Sequence, residues 1–416
     1  MTAPPFSDNE IVAPANYANE ARLHEIFAWL REHDPVHWTE PEGYRPFWSV
    51  TRHADILEIE RQNERFLNDP RTTLATIEAE DWVREVTGGG HQLVRTLVQM
   101  DNPDHRKYRT LTQAWFMPQN LKRVEDSVNR LARAHVEKMR ERGETCDFVA
   151  DVAVWYPLRV IMMIMGVPEE DEPRMLRLTQ ELFGPEDSEM RREADHGDLH
   201  RVVMDFFEYF NRITADRRAN PKDDLASLIA NAEIDGEPIG EFEAMSYYVI
   251  VATAGHDTTS SSTAGGLLAL IEHQKELEKL KANPDLIPSA VEEMIRWVTP
   301  VKHFMRTATE DYTLGGKTIR KGEALCLFYP SGNRDESVFE DPFTFRVDRR
   351  PNKQIAFGFG AHLCLGMHLA RMEMAALYRE LLPRLEHVEL AGEPAWVESN
   401  FVSGLKHLPI RYRLTS

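Results

Sequence analysis

Cysteine is scarce in this chain of 416 residues: Cys146, Cys326 and Cys364 lie far apart and form no CxxC pair. That excludes a cysteine-rich zinc site, a four-cysteine iron–sulfur cluster and a disulfide framework, and it fits a reducing compartment. Positive charge is also short. With 49 Lys and Arg against 68 Asp and Glu the formal net charge is -19, so the chain as a whole has no attraction for nucleic acid or anionic membrane, although a local basic patch keeps its meaning. No apolar run approaches the roughly 18 residues that a membrane-spanning helix needs, and Met1 to Glu10 has neither the basic nor the apolar region of a secretory leader. The chain therefore reads as untargeted and cytoplasmic, with no membrane or nucleic-acid partner. No GxGxxG follows an expected strand, so no nicotinamide or flavin fold is signalled. Low-complexity linkers and internal repeats are missing too, and the 24 prolines are scattered; residues 1–416 read as one domain.

What is present is mostly helical patterning. Residues 20–32, 120–141, 152–165, 200–218 and 222–232 carry apolar positions at helix spacing, broken at Asn220-Pro221 and Gly166-Val167-Pro168. From Met245 to Ala254 the sequence is apolar nearly all round, which predicts a buried central helix. Short strands are predicted between Tyr312 and Phe328, with Gly315-Gly316 as a hairpin turn, and again from Leu408 to Leu414. The fold class is mainly α with a minor β region.

One cysteine stands in unusual company. Phe357-Gly-Phe-Gly-Ala-His-Leu-Cys-Leu-Gly366 places glycines around Cys364, directly before helix-spaced Leu365, Leu369, Met372 and Ala376. A helix N-terminus offers free N–H groups and a positive dipole end, which favour thiolate, and glycine lets a flat ligand approach the backbone. The segment matches the FGxGxHxCxG loop of haem-thiolate proteins, and the chain resembles the cytochrome P-450 superfamily. The resemblance implies that Cys364 is the axial ligand of the iron of haem b, that His362 reaches a haem propionate, that Phe357 packs on the thiolate side, and that Gly358 lies against the cofactor. It also implies a triangular helical prism with the haem held between the central helix and the Cys-loop helix. Cys146 and Cys326 match no such loop and read as ordinary buried cysteines.

Three further segments agree in chain order. Glu293-Met-Ile-Arg296 fits the family's ExxR element, with both side chains on one helix face; by resemblance a third basic residue completes it, and Arg346 and Arg349 both stand near the right place. Asp101 to Arg109 resembles the start of the helix beneath the haem, so His105 and Arg109 become propionate partners, as does Arg306 on the strand that follows the ExxR helix. Two carboxylates call for several cations. Ala254-Gly-His-Asp-Thr-Thr259 interrupts the central helix, where Gly and Thr loosen the hydrogen-bond ladder. The stretch resembles the family's acid–alcohol motif: Ala254 and Gly255 border the haem, Asp257 relays protons and Thr258 steadies bound oxygen. His256 is expected to face away from the iron and to stand outside the site.

The resemblance predicts insertion of one oxygen atom from O2 into a C–H bond, with electrons from NAD(P)H arriving through an external ferredoxin and its reductase, because no redox segment accompanies the haem segment. The stretch Ala254 to Thr263 is similar to bacterial members that hydroxylate terpene alcohols, which points to a terpenoid or alkyl-aromatic substrate. Alternatives within the family are steroid or fatty-acid hydroxylation and peroxide-driven turnover, and outside it a haem-binding sensor; peroxide users typically lack the Asp257–Thr258 pair. An apolar pocket is predicted from Ile250, Thr253, Phe401 and Val402, with residues 72–98, hinged at Gly88-Gly-Gly90, and the acidic 180–199 stretch as its lid. A docking patch is predicted from Arg106, Lys107, Arg109, Arg349, Arg350 and Lys353. The protein is expected to be a monomer.

Overall fold

Helix Ile287–Val298 shows how the sequence builds the core. Ile287, Ala290, Val291, Met294, Ile295 and Val298 recur at three- and four-residue spacing and are all buried, each contributing about 1.5–3 kcal/mol where a large aliphatic side chain leaves water. Proline in the first turn opens this helix, and Thr299, at φ 42°, ends it. The structure is a computed structural model and describes residues 4–183, 187–190 and 197–415.

The central helix lies against this element. It runs Glu241–Ala254, breaks at Gly255-His256 and resumes as Asp257–Glu272. Close approach is bought by glycine: a Cβ on Gly265 would sit 2.5 Å from the Val298 side chain, and one on Gly266 would sit 2.7 Å from Met294. Helix Met367–Leu381 packs beside Ile287–Val298 and against the long helix Pro118–Arg142, whose buried stripe is Leu121, Val128, Ala132, Val136 and Met139. Expected helices appear at Glu20–His33, Pro118–Arg142, Trp155–Met165 and Gly197–Ala219. Two are shorter than the pattern suggested. Trp155–Met165, with Pro157 in its first turn, is preceded by a π-helical turn over Val149–Ala153. Leu225–Ala230 is confined by its Asp224 cap, whose side chain accepts from the Ser227 N–H, and by the hairpin that begins at Glu233.

The minor β region includes a five-stranded sheet in the order Val36–Thr39, Phe47–Val50, Ala324–Phe328, His303–Ala308, Phe66–Leu67. Strand Ala324–Phe328 is buried along its whole length, antiparallel to His303–Ala308 and parallel to Phe47–Val50. Tyr312–Leu314 and Lys317–Ile319 form the expected hairpin, with Gly315 and Gly316 both at positive φ, as the turn requires. Pro409–Leu414 lies between Leu385–Leu390 and Thr145–Asp147 in a second sheet. Among the described residues no helix is long and apolar enough to cross a membrane.

The expected lid segment 72–98 contains a helix, Ile77–Val86, with no buried residue, held by ion pairs from Arg45 and Arg71 to Glu80. Gly88 and Gly89 follow it at positive φ. Residues 184–186 and 191–196 of the 180–199 stretch lie outside the described residues.

Candidate active site

The loop carrying Cys364 is shaped from both ends. Gly358 and Gly360 adopt φ 68° and 71°, and a Cβ on Gly360 would strike the Glu60 carbonyl at 2.4 Å, so only glycine lets the loop pass the helix His53–Glu60. The Cys364 N–H donates to the Phe357 carbonyl at 2.9 Å. Cys364 is exposed, while the protein around it pushes its thiol pKa up by burial. The N–H groups of Gly366 and Met367 point at the sulfur and, with Arg109 and Arg371, pull the other way. The predicted helix N-terminus is thus present, with Met367–Leu381 beginning three residues on. The Phe357 ring lies under the Arg371 guanidinium at 4.6 Å, and Arg371 pairs with Glu292.

Behind the loop sits a buried charge cluster. Arg296 grips Glu293 through two hydrogen bonds of 2.8 Å, and both side chains are fully buried. The choice between Arg346 and Arg349 is resolved in space: the Arg349 guanidinium donates to both Glu293 oxygens at 3.0 and 3.1 Å, while Arg346 offers only its backbone N–H at 3.0 Å. Arg296 also donates to the Asn333 carbonyl at 2.8 Å, and the Asn333 side chain accepts from the Ile355 N–H at 2.8 Å. The cluster is thereby tied to the entry of the cysteine loop. This placement corrects one expectation: Arg349, 2% exposed, is committed to Glu293 and belongs to no docking surface. Arg106, Arg350 and Lys353 are exposed, Lys107 pairs with Asp235, and Arg109 is partly buried.

Four residues predicted as anion partners converge. The His105 and His362 rings lie against each other, centroids 3.9 Å apart and tilted by 32°. Burial, then the charges of Arg306, His105 and Arg109, push His362 down to about 2. His105 is pushed down to about 4 by burial and by Arg109, against the opposing Asp101. Its Nε2 is buried without a partner. Arg109 donates to the Leu363 carbonyl at 2.7 Å, and Arg306 reaches Glu60 at 3.4 Å. A site with two guanidiniums and two imidazoles suppressed by them calls for anions.

No motif pointed to Glu60, which lies at the C-terminal end of the helix His53–Glu60. It accepts from the Tyr329 hydroxyl at 2.7 Å and from the Phe359 N–H. Burial pushes its carboxyl up to about 7, despite Arg306. Asn68 was equally silent in the sequence; its amide lies 2.6 Å from His362 Nε2 and 3.2 Å from Asp101.

The break in the central helix forms the opposite wall. A Cβ on Gly255 would sit 2.6 Å from Ile161 and 2.8 Å from the Val251 carbonyl, so glycine is needed there. Ala254 is exposed inside an otherwise buried stretch. The Thr258 hydroxyl donates to the Ala254 carbonyl at 3.2 Å. One Asp257 oxygen lies 3.0 Å from His256 Nε2; the other is buried and unpartnered. His256, expected to face away from the iron, contacts the expected relay residue Asp257. It is fully buried between Asp257 and Thr179, with its Nδ1 3.3 Å from the Ala252 carbonyl.

The expected pocket residues divide. Ile250 and Phe401 are half-buried, Phe401 packing against Phe304 and His303. Thr253 is buried, its hydroxyl donated to the Val249 carbonyl at 2.8 Å. Val402 is bridged to Val301 and lines a recess that it shares with Asp257.

Comparison with known proteins identifies the class. The family model for cytochrome P450 matches residues 78–412. The chain is 42% identical to cytochrome P450-terp of a Pseudomonas species, over 99% of this chain and 98% of that protein. It is 32% identical to linalool 8-monooxygenase of Pseudomonas putida, over 93% and 95%. The crystal structure of CYP108D1 from Novosphingobium aromaticivorans superposes with a TM-score of 0.92 at 43% identity, covering 98% of each chain. The chain belongs to the cytochrome P450 family and is a cytochrome P450 monooxygenase. Family membership implies haem and O2, and the residues present fit them: an exposed thiol, an anion-seeking cluster with an unpartnered nitrogen, and open space where a Cβ of Gly366 would point.

Proposed function

We propose that the Cys364 sulfur would hold the haem iron and that His105, Arg109, Arg306 and His362 would hold the haem carboxylates. The observation that carries this reading is the convergence of those four side chains, of which His105 keeps a buried nitrogen without a partner, near the Cys364 thiol with the Gly366 and Met367 N–H groups behind it. When bound, haem supplies dioxygen activation, and electron donation by its thiolate ligand favours O–O cleavage.

The remaining work falls to the chain. Protons have to be supplied to the cleft without flooding it with bulk water. Asp257, anchored through one oxygen, moves them, and the Thr258 hydroxyl, its own hydrogen given to Ala254, accepts and steadies. Ala254 and Gly255 leave room beside the reacting centre. Glu293, Arg296 and Arg349 keep the cysteine loop in register.

The substrate is a small apolar terpenoid or alkyl-aromatic, held by Ile250 and Phe401 with Thr253 and Val402 beside them. Names of relatives such as linalool 8-monooxygenase and P450-terp support the terpenoid class. Electrons come from NAD(P)H through a ferredoxin and its reductase, docking on Arg106, Lys107, Arg109, Arg350 and Lys353. The test is turnover of linalool by the haem-loaded protein with ferredoxin, reductase and NADH, against peroxide alone. Oxygenated product only in the first supports the reading. Equal product from peroxide alone would overturn the ferredoxin route, and absence of the red-shifted Soret band in the reduced carbonyl complex would overturn the ligand.

A further inference from the structure

Asn68 stands directly after the strand Phe66–Leu67 and is 1% exposed. Its backbone is pinned at both ends: the N–H donates to Asp101 Oδ1 at 2.9 Å, and the carbonyl accepts from the Thr72 hydroxyl at 3.1 Å. The side-chain amide is pinned as well. Its nitrogen lies 3.2 Å from the same Asp101 oxygen and 2.6 Å from His362 Nε2. Asp101 is itself fixed, since its second carboxylate oxygen accepts from the Asp69 N–H at 3.0 Å. Its carbonyl accepts from the His105 N–H at 2.9 Å, at the start of the helix Asp104–Gln113.

These contacts determine where hydrogens lie, which heavy-atom positions alone leave open. A carboxylate only accepts, so the Asn68 amide has to turn its NH2 group towards Asp101; the flipped amide would set a carbonyl oxygen against the carboxylate. That group carries two hydrogens. One goes to Asp101 and the other points at His362 Nε2, which therefore offers its lone pair. An imidazole whose Nε2 accepts carries its one hydrogen on Nδ1. Among the described residues nothing bonds to that Nδ1, and the ring is held in place by the neighbouring His105 ring, centroids 3.9 Å apart.

We propose that Asn68, oriented by Asp101, fixes the tautomer of His362 and thereby keeps an Nδ1–H ready to donate to a haem carboxylate. The inference rests on the reading of His362 as a holder of that carboxylate. Arg109 and Arg306 match two carboxylates in charge, so what His362 adds is direction. Without Asn68 the hydrogen is free to move to Nε2, and Nδ1 then turns a lone pair on the carboxylate oxygen, which repels it. Asn68 touches neither haem nor substrate. It is a positioning residue, acting through His362 as outer partners act on metal-ligating histidines.

The test uses the haem-loaded protein. In its reduced carbonyl form, which is diamagnetic, the His362 ring is read by long-range 1H–15N NMR, its signals identified by their loss in His362→Gln. The wild type is expected to show the Nδ1–H tautomer, and Asn68→Leu a mixture of both tautomers. Haem transfer to excess apomyoglobin gives a second readout. Asn68→Leu is expected to speed that transfer about three- to tenfold, the size of one lost hydrogen bond. In the His362→Gln background the same substitution should add nothing, because its effect runs through that ring. Asp101→Asn keeps an acceptor oxygen but no longer dictates how the Asn68 amide turns, so it should shift the tautomer in the same direction and speed transfer less. It carries the test if Asn68→Leu fails to fold. An Nε2–H tautomer in the wild type, or an unchanged tautomer in both variants, would overturn the inference. So would equal acceleration by Asn68→Leu with and without the His362 ring, which would make Asn68 a merely structural residue. Wild-type haem transfer in His362→Gln would instead overturn the carboxylate reading of His362, and this inference with it.

Discussion

Glu293 and Asp257 are both carboxylates withdrawn from bulk water within the same helical core, and they are treated in opposite ways. Glu293 takes hydrogen bonds from Arg296, Arg349, Asn352 and the Arg346 N–H, leaving neither oxygen idle. Asp257 has one oxygen held and one with no partner. A similar contrast separates the Glu293 carboxylate, every oxygen of which is matched, from His105 Nε2 and a Glu60 oxygen, which stand unpaired. Matched buried charge holds shape, because removing either partner strands the other. Unmatched groups in a cleft are held ready for something that arrives.

The largest effect belongs to the cleft. Cys364→Ser is expected to abolish the red-shifted carbonyl Soret band entirely, read by difference spectroscopy of the reduced protein; a surviving band would move the ligand elsewhere. At the Glu293 carboxylate, Arg349→Leu should cost about 3–5 kcal/mol in chemical denaturation, because Glu293 loses a buried partner. Arg346→Leu should cost less than about 1 kcal/mol, since its side chain makes only a partly exposed pair with Glu340 at 3.7 Å. Equal losses would erase the distinction between guanidinium and backbone donors.

Glu60 tests what an unpaired group costs. Unfolded, it ionises near the usual 4.5; folded, near about 7. Between those values the native state keeps a proton that the unfolded chain has released, so this group's contribution falls as pH rises from about 4.5 to 7 and is flat beyond. The full span is about 3 kcal/mol. Glu60→Gln should therefore gain on the wild type from pH 5 to pH 8, as measured by urea unfolding of both. A pH-independent difference would mean that Glu60 ionises as an ordinary carboxylate. In the cleft again, Thr258→Ala should keep haem and substrate binding but lower product per NADH about tenfold, with peroxide in its place; normal coupling would move proton handling along the helix. The smallest effect is at the surface: Arg106→Glu should slow ferredoxin association a few-fold at low salt and hardly at all at high salt, by stopped-flow reduction. An unchanged salt dependence would relocate the docking patch.

Much of this protein was legible in local spacing. The cysteine loop, the i, i+3 pair of Glu293 and Arg296, the break at Gly255 and the Gly315-Gly316 hairpin each depend on residues within a turn or two of one another, where backbone geometry alone dictates who meets whom. Membership of a haem-thiolate family follows from those short stretches. The tertiary structure decided what lies beyond that range. It chose Arg349 over Arg346, fifty-odd residues from Glu293, and so removed Arg349 from the docking surface. It set Glu60 beside Arg306, 246 residues away. It turned His256 onto Asp257 by breaking the helix between Ala254 and Asp257. It also brought His407 and Glu189 to the recess that Asp257 lines. Periodicity says which face of a helix is buried, but only the path of the whole chain says what is packed against that face, and the partners of a buried charge are determined there.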